Sequence, residues 1–250
     1  MRTVIFDLDG TIFLGKTAIP GAREKIQELR SNGIRTLFLT NAGTRTRKGV
    51  REKLAGMGFD IPEEEIYTGA YSLARFLANR YPGKKAYVVG EQGLVDELKN
   101  AGIMIGEENA DIVAASLDRR FTYKKLAIAQ RLLLKGALLV ATNHDYTFPV
   151  ENGVRPGAGS IVMAIEVASG KKAISLGKPN TYGFELMQKE KGIRKEETVF
   201  VGDRIDTDIT FARNWGIKCA LVLSGVSRKE DIKGIKPDYV FDSIADLILP

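Results

Sequence analysis

The sequence predicts an α/β protein built on a parallel sheet with helices on both faces, the doubly wound arrangement. Short apolar runs alternate with helix-length amphipathic segments along the whole chain. Glycine follows predicted helices, as at Gly33 and Gly58. Small and acidic residues follow several of the apolar runs, where the strands of such a sheet end. The alternation implies parallel strands, because each strand is joined to the next by a helix.

The first βαβα segment is the clearest part of this pattern. Residues 4–6 predict a buried strand, and Arg23 to Asn32 predict a helix. Residues 36–39 predict a second strand, and Thr46 to Met57 predict a second helix. The chain therefore begins with two βα units of one parallel sheet.

The same alternation continues to the end of the chain. Further strands are predicted at residues 86–89, 111–114, 137–141, 198–201, 219–223 and 239–241, the last at a sheet edge. Further helices are predicted at residues 91–101, 122–134, 160–168, 182–191 and 207–214. No linker rich in Pro, Gly or Ser marks a domain boundary, so the domain division depends on motif placement.

Composition indicates an ordinary globular protein of one large or two modest domains, with 250 residues, 44% hydrophobic and 27% charged. The net charge of +6 arises from scattered basic pairs, so we expect no nucleic-acid partner. No apolar run approaches the ~18 residues of a membrane helix, and the first strand begins too early for a signal peptide. We therefore expect no membrane partner. Cys219 is the only cysteine, which excludes an internal disulfide and favours the cytoplasm.

The most informative local pattern is Asp7-Leu8-Asp9-Gly10-Thr11, directly after the first predicted strand. The two carboxylates are two residues apart, so they point to the same side of an extended backbone. Two carboxylates on one face are costly unless a cation or a proton separates them. The pattern indicates a ligand site, although a glycine-containing Asx turn would also explain it.

Two other strand ends carry polar side chains. Thr40 and Asn41 follow the second strand, and both can donate hydrogen bonds to phosphate oxygens. Residues 202–208 (Gly-Asp-Arg-Ile-Asp-Thr-Asp) follow a later strand, and this acidic cluster suits Mg²⁺, which prefers oxygen ligands. Capping of a helix by Asp206, with Asp208 in the first turn, is the alternative interpretation.

Lys178 lies in a loop between Gly177 and Pro179 and could neutralise both a phosphate and the Asp7 carboxylate. A solvated surface lysine is the alternative. The loop is not a Walker A motif, since Pro179 stands where Ser or Thr is required. Because the carboxyl ends of parallel strands meet at one edge of a sheet, we expect the strand ends with Asp7, Thr40 and Asp203 to converge. Asp7, Asp9 and Asp203 would then surround a single divalent ion, with Lys178 alongside.

The order of these motifs resembles that of the haloacid dehalogenase (HAD) superfamily, whose four motifs match DLDGT, TN, GKP and GDRIDTD. Their spacing is similar to the NagD / 4-nitrophenylphosphatase-like branch, in which a C2-type α/β cap lies between the second and third motifs. The resemblance covers essentially the whole chain. It implies a Rossmann-like core of residues 1–74 and 176–250 with a smaller inserted cap domain of residues 75–175. Relatives often have a second asparagine where this chain has Ala42, which puts the contribution of that position in doubt.

The resemblance implies a Mg²⁺-dependent phosphatase that hydrolyses small phosphomonoesters through an aspartyl-phosphate. Asp7 would be the nucleophile, and Asp9 would act first as general acid and then as general base. The metal ligands would be the side chains of Asp7 and Asp203 and the backbone carbonyl of Asp9. Asp208 would lie behind these ligands and orient Asp203, a metal-bound water or Lys178.

Contacts with the substrate are expected from other segments. The phosphoryl group would be bound by Thr40, Asn41 and Lys178. In the cap, the loop Asn143-His144-Asp145 follows a strand and is a candidate for reading the substrate, although a loop residue without a catalytic role is the better account of His144. Caps of this branch often mediate dimers, which leaves a homodimer through the cap open.

Three other functions are compatible with part of the pattern. A phosphotransferase such as a mutase would use the same motifs, but with a very small or distinct cap. A receiver-type regulatory domain also combines an acidic cluster, Thr and Lys on a parallel sheet, but it has about half this length. A non-catalytic phospho-ligand-binding protein would not need all of Asp7, Asp9, Lys178 and Asp203.

Overall fold

The structure, a computed structural model, describes residues 1–150 and 153–248 and divides into two compact units. The first unit comprises Met1–Thr40, Arg51–Tyr67 and Lys178–Pro250, and the second comprises Asn41–Val50 and Thr68–Gly177. The predicted cap, residues 75–175, falls inside the second unit. That unit also includes residues 41–50, 68–74 and 176–177, which the sequence assigned to the core. Its function as a cap stays a prediction.

Strands and helices alternate along most of the described chain. The strands are β1 (Thr3–Phe6), β2 (Phe13–Leu14), β3 (Thr17–Ala18), β4 (Arg35–Thr40), β5 (Ile66–Thr68), β6 (Lys85–Val89), β7 (Met104–Ile105), β8 (Ile112–Ala115), β9 (Leu138–Ala141), β10 (Thr147–Val150), β11 (Gly153–Pro156), β12 (Ile174–Ser175), β13 (Thr198–Gly202), β14 (Lys218–Val222) and β15 (Tyr239–Phe241). The α-helices are α1 (Ala22–Ser31), α2 (Arg47–Ala55), α3 (Gly69–Arg80), α4 (Gln92–Asn100), α5 (Tyr123–Leu134), α6 (Ala158–Ser169), α7 (Tyr182–Lys191) and α8 (Thr210–Trp215).

The first unit contains a six-stranded sheet in the order β15-β14-β13-β1-β4-β5. The central strand β1 pairs in parallel with β13 on one side and β4 on the other, so that Phe6 lies opposite both Val201 and Phe38. All four residues of β1 are buried, as expected for a strand covered on both faces. Asp7 therefore leaves the sheet between the carboxyl ends of two neighbouring strands.

Aromatic rings hold these strand ends in place. Phe6 stacks on Phe38, with ring centroids 5.9 Å apart, and joins β1 to β4. Phe200 meets Phe211 edge-on at 5.1 Å and joins β13 to α8. Such pairs contribute about 0.5–1.5 kcal/mol beyond their area burial, and here they fix the strands from which the acidic residues project.

The second unit contains a five-stranded parallel sheet in the order β12-β9-β8-β6-β7. Helices α5 and α6 belong to its core, whose buried residues include Val113, Ala129, Leu133, Val162 and Ile165. The hydroxyl of Thr122 accepts the N–H of Lys125 at 3.3 Å, which confirms Thr122 as the predicted cap of α5. Among the residues described here, every helix is too short or too polar to span a bilayer.

Two predicted helices end or begin differently in the structure. The second helix ends at Ala55, because the N–H groups of Met57 and Gly58 bond to carbonyls three residues back and tighten the last turn. The single helix predicted at residues 207–214 is instead a π-helical turn, Ile205–Ile209, followed by the short α8.

Helix α3 and the antiparallel hairpin of β10 and β11 were not predicted from the sequence. Seven of the twelve residues of α3 are buried, and the less buried Tyr71, Arg75 and Asn79 recur at helical spacing on the other side, so the sequence did carry a signal for this helix. The helix expected from about residue 160 begins at Ala158, after the hairpin has ended at Pro156.

Candidate active site

The ammonium of Lys178 lies among buried oxygen atoms of the first unit. It donates a hydrogen bond to Asp7 Oδ1 at 2.5 Å and lies 2.8 Å from Asp208 Oδ1. It also donates to the backbone carbonyl of Leu39 at 3.1 Å. Because its side chain is only 3% exposed, these acceptors replace the water that the ammonium loses. The alternative of a solvated lysine is therefore wrong.

Asp203 follows β13 and completes an acidic group with Asp7 and Asp208. One carboxylate oxygen from each of the three lies within 4.8 Å of the others. Asp203 Oδ2 accepts the N–H of Val226 at 2.7 Å. Asp203 Oδ1 is buried and has no hydrogen-bond partner among the residues that the structure describes. Because an unsatisfied buried oxygen is costly, this atom is a candidate ligand for a cation.

The π-helical turn brings Asp208 back towards β13. Asp208 Oδ2 accepts the N–H groups of both Asp203 and Arg204 at 3.1 Å, while its other oxygen faces Lys178. Asp206 points away instead: its side chain is 65% exposed and pairs with the Arg204 guanidinium at 2.7 Å. The alternative in which Asp206 caps a helix is therefore wrong, and Asp208 accepts the N–H groups at this turn.

The cluster carries more negative than positive charge. Three carboxylates surround one ammonium, which leaves two negative charges when all four groups are ionised. Burial raises the pKa of Asp7 to about 7, although Lys178 acts to lower it. Burial, together with the neighbouring carboxylates, also raises the pKa of Asp203 well above its usual range. Without a further cation, full ionisation of the carboxylates is therefore unfavourable.

The pKa of Lys178 is also raised, which for a lysine favours the charged form. Burial by itself lowers the pKa of a lysine, but Asp208 and Asp7 together raise the pKa of Lys178 above its ordinary value. The raised pKa favours the charged ammonium near neutral pH.

Among the described acidic residues, the group of three that could share an ion does not include the Asp9 side chain. Asp9 is half-buried, and burial raises its pKa, while Lys53 and the backbone N–H of Gly15 act to lower it. A raised pKa keeps more of the carboxyl group protonated near neutral pH. This property suits a group that must donate a proton.

The two residues of the second motif fall in different units. Thr40 ends β4 and is the last residue of its segment of the first unit, and Asn41 begins the second unit. Asn41 Nδ2 donates to both carboxylate oxygens of Asp145, at 3.2 and 3.1 Å. Asn143 Nδ2 donates to the same carboxylate at 2.8 Å. Binding of a phosphoryl group by Thr40 and Asn41 stays a prediction.

His144 takes part in a different contact of the second unit. Its Nε2 lies 3.5 Å from Glu166 Oε1, and Glu166 also accepts hydrogen bonds from the Ala173 N–H and the Lys172 ammonium. Although burial acts to raise it, the pKa of Glu166 is lowered by these donors and by His144. Reading of the substrate by the loop of residues 143–145 stays a prediction.

Comparison with known sequences identifies the family. The family described as haloacid dehalogenase-like hydrolase matches residues 4–104, and the HAD-hydrolase-like family matches residues 175–247. Glycerol-3-phosphate phosphatase from Homo sapiens is 38% identical over 98% of this chain and 89% of its own length. The chain belongs to the haloacid dehalogenase-like hydrolases.

Solved structures refine this assignment within the HAD superfamily. NagD from E. coli K-12 superposes with a TM-score of 0.92 at 34% identity, covering 99% of this chain and 98% of its own. The p-nitrophenyl phosphatase from Archaeoglobus fulgidus superposes with a TM-score of 0.93 at 33% identity, covering 98% and 97%. The predicted α/β fold, the NagD / 4-nitrophenylphosphatase-like branch and the assignment as a HAD phosphatase are confirmed.

The acidic group of this HAD hydrolase fits a divalent cation. HAD phosphatases are generally metal-dependent. Here the donors are all carboxylate oxygens, the set that hard cations prefer. The unpartnered oxygen of Asp203 offers a ligand atom, and the two uncompensated negative charges would be balanced by a charge of +2.

Sequence reasoning missed several contacts of the site. The carboxylate of Asp208 lies close to those of Asp7 and Asp203, which the local sequence did not predict, while its expected role in orienting Asp203 or Lys178 stays a prediction. The hydrogen bond from the Val226 N–H to Asp203 was not foreseen. Its signal was that Val226 follows β14, the strand that neighbours β13 in the sheet. The pairing of Asn41 with Asp145 joins positions 104 residues apart and has no local signature.

Proposed function

We propose that this chain is a Mg²⁺-dependent phosphatase that transfers the phosphoryl group of a small phosphomonoester to Asp7 and then to water. The observation that carries the proposal is the buried pairing of Asp7 with Lys178 beside two further carboxylates. An ordinary structural ion pair would not need the two extra acids. A site that accepts a divalent cation and a phosphate dianion would.

Asp7 is suited to act as the nucleophile. Attack of a carboxylate on a phosphate is opposed by repulsion between two anions. The Lys178 ammonium, fixed on Asp7 Oδ1 by its contacts with Asp208 and the Leu39 carbonyl, offsets this repulsion. Attack of Asp7 on phosphorus would form an aspartyl-phosphate and release the alcohol, and water would then displace Asp7.

Mg²⁺ would be held by the side chains of Asp7 and Asp203 and by the backbone carbonyl of Asp9. When bound, the ion would neutralise negative charge on the phosphoryl oxygens. Asp208 would orient Lys178 and the turn that carries Asp203, which agrees with its hydrogen bonds to both segments. Mg²⁺ is proposed rather than a softer metal because the donors are oxygen atoms.

Asp9 would transfer the protons. It would donate one to the leaving alkoxide in the first step and accept one from the attacking water in the second. The raised pKa of Asp9, caused chiefly by burial, supports the first of these tasks. The partial exposure of Asp9 supports the second, since water must reach it.

Small phosphomonoesters, such as sugar phosphates or nucleotide monophosphates, are the proposed substrates. The phosphoryl oxygens would be held by Thr40, Asn41 and Lys178. The loop of residues 143–145 would contact the rest of the substrate. Glycerol 3-phosphate and p-nitrophenyl phosphate, which the related enzymes are named for, are the first compounds to test.

Replacement of Asp7 by Asn tests the proposed nucleophile. We expect the Asp7→Asn protein to fold and to lose hydrolysis of p-nitrophenyl phosphate by at least ~10³-fold, because an amide cannot form the acyl phosphate. The matched control is Asp242→Asn, an exposed acid of the same unit, which should keep full turnover. Wild-type turnover by the Asp7→Asn protein would refute the assignment.

Metal removal and an added acceptor test the rest of the proposal. Excess EDTA should stop hydrolysis, and Mg²⁺ should restore it. Full activity in EDTA, with no metal in the purified protein, would refute the metal requirement. A phosphotransferase would instead pass the phosphoryl group to an added alcohol such as glycerol, and a binding protein would release no phosphate.

We also propose a cytoplasmic location, supported by the presence of a single cysteine, Cys219, which is buried and leaves no internal disulfide possible. A homodimer formed through the second unit stays a prediction. Size-exclusion chromatography with light scattering would test it.

A further inference from the structure

We propose that residues 223–227, the loop after β14, position the Asp203 carboxylate with one oxygen held and the other directed to the metal ion. We call this segment the Asp203 loop, and Ser224 and Gly225 are its positioning residues. The inference rests on the proposed metal site. It adds residues outside the four motifs from which that site was recognised.

The Asp203 loop holds Asp203 at two points. The Val226 N–H donates to Asp203 Oδ2 at 2.7 Å, and the Ser227 N–H donates to the backbone carbonyl of Asp203 at 3.1 Å. The first bond occupies one carboxylate oxygen and leaves Asp203 Oδ1, which has no partner among the described residues. A carboxylate held in this way presents a single oxygen in a defined direction.

Gly225 allows the backbone of the Asp203 loop to lie close enough to the Asp203 carboxylate for the hydrogen bond from Val226. A Cβ atom at position 225 would lie 2.5 Å from Asp203 Cγ and 2.6 Å from Asp203 Cβ, far inside van der Waals contact. The backbone of Gly225 does not lie in the left-handed region, so an alanine there would meet no conformational strain. Glycine is therefore needed for space beside the carboxylate.

Gly10 approaches the same carboxylate. A Cβ atom at position 10 would lie 2.5 Å from Asp203 Cγ and 2.9 Å from Asp203 Oδ1. Gly10 also has φ 95°, so a substitution there would be strained whatever the space. The Asp203 carboxylate thus lies close to two glycines, Gly10 and Gly225. Only at Gly225 can an alanine test the steric effect without adding backbone strain.

Ser224 connects the Asp203 loop to the turn that follows Asp9. Its hydroxyl donates to the Gly10 carbonyl at 2.8 Å. On the other side of the loop, the Ser227 hydroxyl accepts the N–H of Ile205 at 3.1 Å. The loop is therefore bonded both to the segment that carries Asp7 and to the segment that carries Asp203. It fixes the orientation of one proposed metal ligand relative to another.

Titration of the metal-free protein with Mg²⁺ by calorimetry, and with Mn²⁺ by electron paramagnetic resonance, tests this inference. We expect Gly225→Ala to weaken metal binding about 10–100-fold, the usual cost of disturbing the residues that orient a ligand. Ser224→Ala should weaken it less, by roughly 3–10-fold, and Ser224→Thr, which keeps the hydroxyl, should restore most of the loss. The control is Gly234→Ala, where a Cβ would meet nothing within 4 Å.

The outcomes separate this inference from the proposed function. Absence of metal binding by the wild-type protein would overturn the proposed function itself. Wild-type binding with unchanged affinity in both Gly225→Ala and Ser224→Ala would overturn the inference alone. A lower melting temperature with unchanged metal affinity would show that the loop is only structural and would overturn it as well. If Gly225→Ala does not fold, the comparison of Ser224→Ala with Ser224→Thr decides the matter.

Discussion

Lys178 Nζ lies 2.5 Å from Asp7 Oδ1, and the two side chains are only 3% and 11% exposed. A carboxylate so deeply withdrawn from water resists ionisation, and burial raises the pKa of Asp7 to about 7. The ammonium opposes that effect and favours the anionic form that a nucleophile needs. The same positive charge would then face the phosphoryl group during attack.

Replacement of Lys178 by Met should therefore be more damaging to chemistry than to folding. We expect kcat for p-nitrophenyl phosphate to fall about 10²–10³-fold, the usual effect of removing one preorganised charge from a transition state. The metal-free variant should still fold, because Asp7, whose pKa burial already raises, can take up a proton when its cation is lost. Steady-state kinetics and circular dichroism measure the two effects.

The control for this prediction is Lys233→Met, which removes an exposed lysine of the same unit. A drop in kcat of less than tenfold for Lys178→Met, with wild-type values for Lys233→Met, would contradict the proposed role of the ammonium.

The stability of the metal-free protein should decrease as pH rises from about 5.5 to about 7. Asp7 has a pKa near 7 in the folded protein and 3.8 when unfolded, so over this range the folded state binds the proton more strongly. The raised pKa values of Asp203 and Asp9 act in the same direction. Acids whose pKa values are lowered, such as Glu166, are ionised in both states above about pH 5.5 and add no slope there.

Mg²⁺ should reverse this trend, because the ion favours the ionised carboxylates. We expect the increase in melting temperature caused by Mg²⁺ to be larger at about pH 8 than at about pH 5.5, as scanning calorimetry can measure. The Asp7→Asn protein, which lacks one of these groups, should show a smaller pH dependence in EDTA. An equal Mg²⁺ effect at both pH values would argue against an ionised carboxylate cluster as the metal site.

The convergence of Asp7 and Asp203 could be predicted because it follows from the sheet, whereas Lys178 lies in a loop after β12, a strand of the other sheet, and its position does not follow from this rule. Once β1 is taken as a parallel strand, its carboxyl end must lie beside those of its neighbours, whatever the details of packing. In the structure Phe6 pairs with both Phe38 and Val201, so the carboxyl ends of β1, β4 and β13 lie side by side as expected. Strand ends are thus predictable from local sequence.

The position of Asp208 could not be predicted in the same way. An α-helix beginning at residue 207 would place Asp208 in its first turn, with Asp206 as the cap. The wider π-helical turn of residues 205–209 changes the direction of each side chain. In this turn the Asp208 carboxylate accepts the N–H groups of Asp203 and Arg204, a contact that the local sequence does not reveal. Helix α3 was missed for a different reason: its less buried residues Tyr71, Arg75 and Asn79 do recur at helical spacing, and this signal was overlooked.

The two acids of this turn provide a direct comparison. Asp208→Ala should lower the free energy of unfolding by about 3 kcal/mol, because it removes a buried carboxylate that pairs with Lys178 and accepts two N–H groups. Asp206→Ala should cost about 0–1 kcal/mol, since its ion pair with Arg204 is exposed to solvent. Urea denaturation followed by fluorescence measures both.

Asp208→Ala should also lose most of its phosphatase activity, whereas Asp206→Ala should keep it. Equal losses of stability in the two variants would mean that the buried contacts of Asp208 contribute no more than a surface ion pair.

Asp145 and Asn41 should act as a pair in substrate binding. Both carboxylate oxygens of Asp145 accept from the Asn41 amide, and a hydrogen bond to a charged group contributes about 1.5–3 kcal/mol. If Asn41 binds the phosphoryl group, loss of Asp145 removes two hydrogen bonds that orient the amide, so Asp145→Ala should raise KM for p-nitrophenyl phosphate by roughly 3–10-fold. In a double-mutant cycle, Asp145→Ala should add little to Asn41→Ala, with a coupling energy of about 0.5–3 kcal/mol. Glu107→Gln, which breaks an exposed ion pair of the same unit, is the control. Fully additive effects on kcat/KM would mean that Asp145 acts independently of Asn41.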